Sequence, residues 1–444
     1  MLNLESPQTK TNQMADFRPF QAWRYNPKTV DLSKVIAPPY DVISTAGQDK
    51  LYDKSPYNTV RLILNRIEAS DNDSNNRYTR ARDFFNAWQN QNVLIQDEKP
   101  GFYLYQQTFT DPRQKGKKER FALLGLLKLE DFDKEIVIPH EKTLSKPRED
   151  RRKLLEATHT NFSPVFGLYD DSRESLHALY MKTASASPVF EAADEEGVCH
   201  ALWLIQNAET IQSLHEKLGR QKIYIADGHH RYQTALEYAR AKRREEGAGP
   251  SEEKPYDFVY MALVGFHDPG LLVFPTHRIV RSFPEFDGAK AMEILKKYFN
   301  VQSVPFESLE QKMNQSGPSN IVFGLCFGKE AFLLTLNQDS GWKEKMPAAK
   351  PDVWYGLDVN VLGHLIFASL WNLPEKNWES AIGFTQSIEE MKKMVQEGKA
   401  VAAFALRAPQ VEILREMGKV RELMPQKSTY FYPKLASGIL FYGH

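Results

Sequence analysis

Apolar and polar residues follow two different periods along this chain. Short alternating or β-branched runs predict strands over 102–109, 120–129, 165–169, 201–206, 222–226, 256–266 and 271–274. Apolar residues that recur every three or four positions predict helices over 78–90, 148–158, 231–244 and 289–300. Because strands and helices follow one another along the chain, we expect an α/β (α+β) fold in which helices pack on mixed sheets.

The same pattern suggests how the chain is divided. Residues 1–16 are polar and are expected to form a disordered tail, 17–285 the main α/β domain, and 286–444 a C-terminal α/β region packed on the same site. The second boundary lies near 283–288 because a new amphipathic helix is predicted from 289. The stretch 183–197 is expected to be weakly structured.

Charge and composition exclude several classes of protein. The chain has 444 residues, of which 57 are Lys or Arg and 57 are Asp or Glu, so its formal charge is zero. A neutral chain has no long-range field that attracts a polyanion, and nucleic acid is therefore not an expected partner. The first residues lack the apolar core of a signal peptide. Because no uncharged apolar run is long enough to span a bilayer, we expect no membrane segment either.

Two cysteines, Cys199 and Cys326, are too few for a disulfide framework. A reducing compartment suits such a chain, and we expect a cytoplasmic protein. The sequence also lacks a Walker loop, a dinucleotide fingerprint, an HExxH motif, a CxxC pair and a GxSxG elbow. The common nucleotide-binding, zinc-protease and hydrolase folds are therefore disfavoured.

The strongest candidate for chemistry lies where a predicted strand turns into a helix, in the motif DGHHR. Asp227 is expected to cap the helix, Gly228 allows a close backbone approach, and the N–H groups of the first helical turn form an anion site. His229, His230 and Arg231 occupy that first turn, where cations oppose the helix macrodipole. An anionic ligand would reverse this penalty. The alternative is that Arg231 pairs with a carboxylate and the histidines pack.

A second cluster, IPHEKTL, places His140 and Glu141 after a β-branched run and a proline. They should therefore lie at a strand end or in a loop, where reactive groups are often displayed. Glu141 is a candidate general base, which must reach a substrate hydroxyl within hydrogen-bonding distance. A purely structural role for Glu141 is equally compatible with the sequence.

Two further clusters contain candidate ligands. In APPYDVIS, prolines fix the backbone around Asp41, whose carboxylate suits magnesium, although a proline turn with an Asx hydrogen bond explains the motif as well. In MPQKSTYFYPK, Lys427, Ser428, Thr429 and Lys434 suit a phosphate or carboxylate, although a strand that closes a sheet would contain similar residues.

The histidines offer a weaker alternative, a catalytic zinc site. Four of them could in principle bind one ion: His140, His229, His230 and His277. Adjacent histidines at the start of a helix point in different directions, so His229 and His230 would rarely both bind one ion. The motif Thr276-His277-Arg278 is also a weaker candidate for binding an anion.

Taken together, five motifs resemble a known family. APPYDVIS, PHEKTL with DRRKLL, YIADGHHRYQTAL, PTHR and MPQKSTYFYPK occur here in the order found in a widespread bacterial and archaeal family known as domain of unknown function 1015. The resemblance extends from about Phe17 to the end of the chain.

The DGHHR turn also resembles, more distantly, the turn of the ParB and sulfiredoxin superfamily, in particular that of ParB-like free-serine kinases. This resemblance implies a ParB-like strand-turn-helix unit in which residues 227–231 hold the phosphates of ATP or ADP. It makes Glu141 the activating acid only by analogy, because this chain is far longer than a ParB-like module.

These observations favour a magnesium-dependent phosphotransferase that moves a phosphoryl group between an adenine nucleotide and a small hydroxylated metabolite, with serine or phosphoserine preferred. The expected catalytic residues are Glu141, His230 and Arg231. The nucleotide would be bound by Asp227, Gly228, His229, His230, Arg231, His140, Lys427 and Thr429, and Mg²⁺ by Asp41 or Asp227. Two alternatives are a phosphoserine-type phosphatase and a non-catalytic nucleotide-binding ParB-like protein. The sequence leaves the oligomeric state open, and a homo-oligomer is compatible with it.

Overall fold

A computed structural model describes residues 14–142, 145–171, 176–249, 251–283 and 286–444, without the side chains of 145–147. The first 13 residues of the expected N-terminal tail, up to Gln13, therefore lie outside the described residues. The chain forms two compact units. Unit 1 comprises Met1–Pro139, Thr143–Leu271 and Pro433–His444, and unit 2 comprises His140–Lys142 and Leu272–Tyr432. Each unit consists of stretches that are separated along the chain. A division into the continuous ranges 17–285 and 286–444 therefore does not describe the two units.

Unit 1 contains twelve labelled strands and eight labelled helices. The strands are β1 (Phe17–Arg18), β2 (Trp23–Tyr25), β3 (Leu94–Gln96), β4 (Phe102–Thr110), β5 (Lys117–Lys128), β6 (Val137–Ile138), β7 (Thr160–Asn161), β8 (Val165–Tyr169), β9 (Phe190–Ala193), β10 (Cys199–Ile205), β11 (Ile223–Asp227) and β12 (Phe258–Gly265). The helices are α1 (Leu32–Val35), α2 (Thr45–Lys54), α3 (Val60–Ile63), α4 (Arg77–Asn90), α5 (Ser145–Thr158), α6 (His177–Ala184), α7 (Ala208–Leu218) and α8 (His229–Glu246). The segment Tyr442–Gly443 pairs with β7.

The main sheet of unit 1 runs in the order β6-β11-β8-β12-β5-β4-β10-β9, with β1 paired to β5. β8 and β12 are parallel, and so are β6 and β11, whereas the other pairs are antiparallel. The predicted α/β class with mixed sheets is therefore confirmed. β12 lies in the middle of this sheet and is buried along its whole length, which explains why it is a nearly continuous apolar run.

The two faces of the main sheet differ in chemistry. On one face, Val259, Met261 and Leu263 of β12 share a core with Tyr232 and Ala235 of α8. Because successive side chains of a strand point to opposite faces, the alternate residues of the same strands form the second face. That face carries the buried side chains of Tyr103, Tyr105, Arg120 and Tyr260.

One expectation about unit 1 is wrong. The stretch 183–197 was expected to be weakly structured, but α6 extends to Ala184 and β9 occupies Phe190–Ala193. β9 has only four residues, and it is stabilised by hydrogen bonds to β10, where Phe190 faces Leu202. Such a strand depends on its neighbour in the sheet, which a local pattern does not reveal.

Unit 2 contains eight labelled strands and seven labelled helices. The strands are β13 (Leu272–Phe274), β14 (His277–Val280), β15 (Phe299–Val304), β16 (Val322–Phe327), β17 (Glu330–Leu336), β18 (Ile382–Thr385), β19 (Ala402–Ala405) and β20 (Tyr430–Tyr432). The helices are α9 (Gly288–Tyr298), α10 (Leu309–Gln315), α11 (Asp352–Tyr355), α12 (Asp358–Asn360), α13 (Trp378–Ala381), α14 (Ile388–Gln396) and α15 (Ile413–Val420), and a π-helix spans Val361–Leu370. Six strands form an antiparallel sheet in the order β15-β17-β16-β19-β14-β18, and β13 pairs with β20.

His277 in β14 should make the stability of unit 2 sensitive to acid. Burial and, to a smaller extent, the nearby charge of Arg278 together lower the pKa of His277 from 6.5 to about 4. As the pH falls from 6.5 to 4, the unfolded chain therefore gains a proton that the folded chain does not, and the free energy of unfolding should fall by roughly 3 kcal/mol at most.

His277→Asn tests this expectation, because asparagine retains an acceptor for the N–H of Leu406, which donates to Nδ1 of His277 at 3.2 Å. Urea unfolding at several pH values between 7 and 4 should show a weaker loss of stability in the variant than in the unchanged protein. Equal losses in both proteins would contradict the assignment.

Candidate functional site

The DGHHR motif of unit 1 forms a strand, a tight turn and a helix, as the sequence predicts. β11 ends at Asp227 and α8 begins at His229, while Gly228 between them is the N-cap, in the left-handed conformation with φ 88° and ψ 26°. Glycine adopts this conformation without steric cost. The first backbone hydrogen bond of α8 runs from Tyr232 N to Gly228 O, at 3.0 Å.

Asp227 does not cap α8, so that expectation is wrong. The N-cap residue of α8 is Gly228, which has no side chain that could accept a hydrogen bond. The carboxylate of Asp227 lies one residue too early: its Oδ1 accepts from the N–H of Gly228 at 2.7 Å. Its Oδ2 accepts from Nζ of Lys434 at 2.9 Å. Asp227 is therefore the anchor for a lysine that lies far away along the chain.

Arg231 folds back over the turn. A Cβ atom added to Gly228 would lie 2.9 Å from Nη2 of Arg231, which shows how closely the guanidinium covers the glycine. Nη1 of Arg231 donates to the carbonyl oxygen of Pro164, and Nη2 lies 4.0 Å from Oδ1 of Asp227. The guanidinium is thus held beside the start of α8 by backbone and carboxylate groups.

A third cation lies near Asp227. Arg120 is buried on the second face of the sheet, where it donates to Oε1 of Gln107 and, at 2.5 Å, to the carbonyl oxygen of Pro433. Burial lowers the pKa of Arg120 to about 10, although Tyr105, Asp268 and Asp227 favour its charged form. Arg120, Arg231 and Lys434 therefore all interact electrostatically with the carboxylate of Asp227, at the positive end of α8.

A cleft lies beside Arg231 within unit 1. Its cavity volume is about 60 Å³. Its polar lining includes Tyr40, Arg151, Asn161, Ser163 and Arg231. The guanidinium of Arg151 stacks on the ring of Tyr40 at 3.9 Å from its centroid. Burial raises the pKa of the Tyr40 hydroxyl, while the charges of Arg151 and Arg231 oppose that rise. The cleft therefore offers mainly donor groups to a ligand.

The two histidines of the first turn lie in different environments. His229 is buried, whereas His230 is partly exposed. This difference follows from the rotation of about 100° between successive residues of an α-helix. It fits the expectation that adjacent histidines point in different directions.

The other expected site residues, His140, Glu141, Lys427 and Thr429, lie together in unit 2. Oε1 of Glu141 accepts from Ser428 N at 2.9 Å, Thr429 N at 3.1 Å and Thr429 Oγ1 at 3.2 Å. Oε2 accepts from Lys427 N at 3.2 Å. Because the single hydroxyl proton of Thr429 goes to Glu141, the 3.0 Å bond between His140 Nε2 and Thr429 Oγ1 requires the ring to donate.

This arrangement bears on the expected role of Glu141 as a general base. A base needs a lone pair directed at the proton that it removes. Oε1 of Glu141 already accepts three hydrogen bonds from Ser428 and Thr429, and Oε2 accepts one from Lys427. In this geometry the carboxylate binds its own polypeptide.

Neither of the two alternative magnesium ligands, Asp41 or Asp227, belongs to a group of three or more potential metal ligands among the described residues. Asp41 is exposed within a short 3-10 helix, Tyr40–Val42, and both oxygens of Asp227 accept hydrogen bonds as described above. Over the described ranges, the group of at least three side chains that lies close enough to bind a metal ion contains Asp170, Asp171 and His267 instead.

The site residues predicted from the sequence do not include Arg120 or Arg151. Arg120 begins a predicted strand, and Arg151 lies within a charged helix, so each has an ordinary local explanation. Arg120 ends the polar run Lys117–Arg120 at the start of β5, so the sequence did not distinguish it from an exposed residue, and only the structure shows its burial.

The comparison with family models identifies the chain. A model described as "Protein of unknown function (DUF1015)" matches residues 17–360. The chain belongs to this family. The expectation drawn from the five motifs is therefore confirmed, although the match ends before the last motif, MPQKSTYFYPK. No curated protein matches the chain significantly.

Solved structures give weak matches. A free serine kinase in complex with AMP is 16% identical, with 67% of this chain and 83% of that chain covered and a TM-score of 0.33. A conserved hypothetical protein from Pyrococcus furiosus is also 16% identical, covering 68% and 89%, with a TM-score of 0.33. SbnI from Staphylococcus aureus is 10% identical, covering 71% and 85%, with a TM-score of 0.34. Scores this low support neither a shared fold nor a shared function.

In the parts of the chain that the structure describes, every helix is too short or too polar to cross a lipid bilayer.

The two glycines that flank α8 provide a matched pair of tests. Gly228 and Gly247 both have positive φ, 88° and 63°, but a Cβ at Gly247 would meet nothing within 4 Å. Alanine at either position should cost about 1–2 kcal/mol of unfolding free energy for the left-handed backbone. At Gly228 the new Cβ should also displace the guanidinium of Arg231.

We therefore expect Gly228→Ala to weaken phosphate binding and Gly247→Ala to leave it unchanged, when both variants are measured by calorimetric titration and urea unfolding. Equal binding of phosphate by the two variants would show that the position of Arg231 over the glycine does not matter for the ligand.

Proposed function

We propose that this protein is a phosphotransferase that binds the phosphates of an adenine nucleotide at the turn formed by residues 227–231 in unit 1. The observation that carries the proposal is the convergence of Arg120, Arg231 and Lys434 on the single carboxylate of Asp227, at the N-terminus of an 18-residue helix. A phosphate group placed there would gain from the cations and from the helix dipole together.

The residues would contribute in different ways. Arg231 offers a planar fork of donors that matches two oxygens of one phosphate, and Lys434 offers a compact charge. Arg120 is buried and fixed by Gln107 and Pro433, so it would stabilise negative charge without contacting solvent. Phosphoryl transfer depends mainly on positioning and on neutralising charge, which is what this arrangement supplies.

The cleft beside Arg231 supports the proposal through the chemistry of its lining, and not through its volume of about 60 Å³. Its lining combines arginine, tyrosine, asparagine and serine side chains with apolar ones, including Ile63, Leu154, Leu155 and Phe162. Mixed linings of this kind are typical of small-molecule sites. The adenine nucleotide and a serine-like acceptor are proposed from the resemblance of the DGHHR turn to that of free-serine kinases.

Magnesium and proton transfer are not assigned to particular side chains of the site. Both oxygens of Asp227 already accept hydrogen bonds, so this carboxylate is not well placed as a metal ligand. Bound magnesium would neutralise charge on the phosphates, which themselves supply oxygen ligands. Glu141 lies in unit 2 with its carboxylate engaged, and we do not assign it the role of base.

The proposal is tested by incubating the full-length protein with Mg²⁺ and either ATP plus serine or ADP plus phosphoserine, and by following products with ³¹P NMR. We expect a phosphoryl group to appear on the acceptor with equal loss of nucleotide triphosphate, or the reverse. Release of inorganic phosphate without a phosphorylated acceptor would instead indicate a phosphatase. A thermal shift with nucleotide but no turnover would indicate a non-catalytic nucleotide-binding protein.

A further inference from the structure

A loop of unit 2 that the proposed function does not use binds a carboxylate with its backbone. The loop consists of Lys427, Ser428 and Thr429, and we call it the amide nest. Its three consecutive N–H groups all donate to Glu141, at 3.2, 2.9 and 3.1 Å. Because the N–H groups of successive residues usually point in different directions, their convergence requires an unusual backbone.

Lys427 provides that backbone. Its φ is 58°, in the left-handed region that residues other than glycine rarely adopt. Such a conformation persists only where the surroundings hold it. Here the buried guanidinium of Arg278 donates to the carbonyl oxygen of Lys427 at 3.1 Å and to that of Thr276 at 2.7 Å. The backbone of the nest is therefore held by Arg278 as well as by the carboxylate of Glu141.

The donors of the nest recognise the oxygens of an anion and little else about it. Besides the three N–H groups, the hydroxyl of Thr429 donates to Oε1 of Glu141 at 3.2 Å, and His140 in turn donates to that hydroxyl. Backbone donors of this kind bind carboxylate and phosphate oxygens alike. The side chain of Glu141 is 12% exposed, so it is largely, but not completely, buried against the nest.

We propose that the amide nest is a binding site for the oxyanion of a small ligand, a carboxylate or a phosphate monoester, and that Glu141 occupies it as a built-in competitor. Glu141 is attached to the same chain, so its effective concentration at the nest is high and it lowers the apparent affinity for a free anion. This inference concerns unit 2 by itself and is independent of nucleotide binding at residues 227–231.

The test follows the amide signals of Ser428 and Thr429 by ¹⁵N NMR while inorganic phosphate is added to the full-length protein, with sodium chloride at matched ionic strength as reference. Glu141→Gln keeps the shape of the side chain but removes its charge. Glu307→Gln is the matched control, because it removes one charge from an exposed glutamate of unit 2 that pairs with Lys392. A parallel titration with acetate distinguishes a carboxylate ligand from a phosphate.

We expect phosphate or acetate to move both signals at a concentration at least about 10-fold lower in Glu141→Gln than in the unchanged protein or the control. Half-saturation at the same concentration in all three proteins, or signals that stay in place in Glu141→Gln, would overturn the proposal. If Glu141→Gln does not fold, Glu141→Asp provides the test. The aspartate side chain is one methylene group shorter, so its carboxylate lies farther from the nest. The aspartate variant must bind the anion more tightly than the unchanged protein, and equal affinity would again overturn the proposal.

Discussion

Replacing Arg231 with alanine should lower kcat/KM for phosphoryl transfer by about 100-fold to 1000-fold, the usual loss when one positioned donor to a developing charge is removed. Arg231 belongs to the first turn of α8. Its guanidinium covers Gly228, and its Nη2 lies 4.0 Å from Oδ1 of Asp227. The measurement is the initial rate of phosphorylated acceptor formation over a range of substrate concentrations.

Two further variants make this result interpretable. Arg231→Lys keeps the charge but loses the planar fork, and we expect it to recover part of the rate. Arg240→Ala removes another arginine of α8, one that is exposed and paired with Asp131, and should leave the rate within about 3-fold of the original because it belongs to a solvated pair. If Arg231→Ala transfers phosphate as fast as Arg240→Ala does, the proposed site is wrong.

Replacing Asp227 with asparagine should reduce the free energy of unfolding by roughly 2–3 kcal/mol and make the protein unusually responsive to anions. The substitution removes the negative charge that Lys434, Arg231 and Arg120 share, and hydrogen bonds to charged groups are worth about 1.5–3 kcal/mol. Inorganic phosphate should then occupy the place of the missing charge and restore stability by mass action. Urea unfolding with and without phosphate, at constant ionic strength, measures both effects.

Asp257→Asn is the matched control for this experiment. Asp257 is a buried carboxylate of unit 1 that pairs with Arg243, so its substitution should also be destabilising. Its carboxylate forms an ion pair with Arg243, whereas that of Asp227 interacts with three cations. Phosphate should therefore stabilise the Asp257→Asn variant no more than the unchanged protein. The same gain from phosphate in both variants would show that the effect is general and not due to a site at Asp227.

Local patterns predicted many of the elements, although some ends differ by several residues. β8 lies at 165–169, as predicted, and β4 and α4 differ from their predicted ranges by one residue at one end. These segments have strong periodicity and buried apolar residues, which act over short distances along the chain. By contrast, β9 was missed because four residues contain little signal, and its stability depends on the edge of β10.

The candidate site was predictable to a similar extent. The turn at residues 227–231 follows from β-branched residues before a glycine and from a helical pattern after it, and both are local features. The role of Asp227 was wrongly expected, since a capping residue and an ion-pairing residue at the end of a strand have the same sequence signature. Which role it takes depends on where Lys434 lies.

For this protein, the sequence by itself determined the α/β class, the family, and the strand-turn-helix unit with a glycine at its turn, because these depend on short-range periodicity and on residue types in order. The tertiary structure alone decided which charges meet. Lys434 reaches Asp227 across 207 positions of the chain, and Ser428 reaches Glu141 across 287. Contacts at such separations result from the packing of whole sheets and segments, and no local pattern in the chain encodes them.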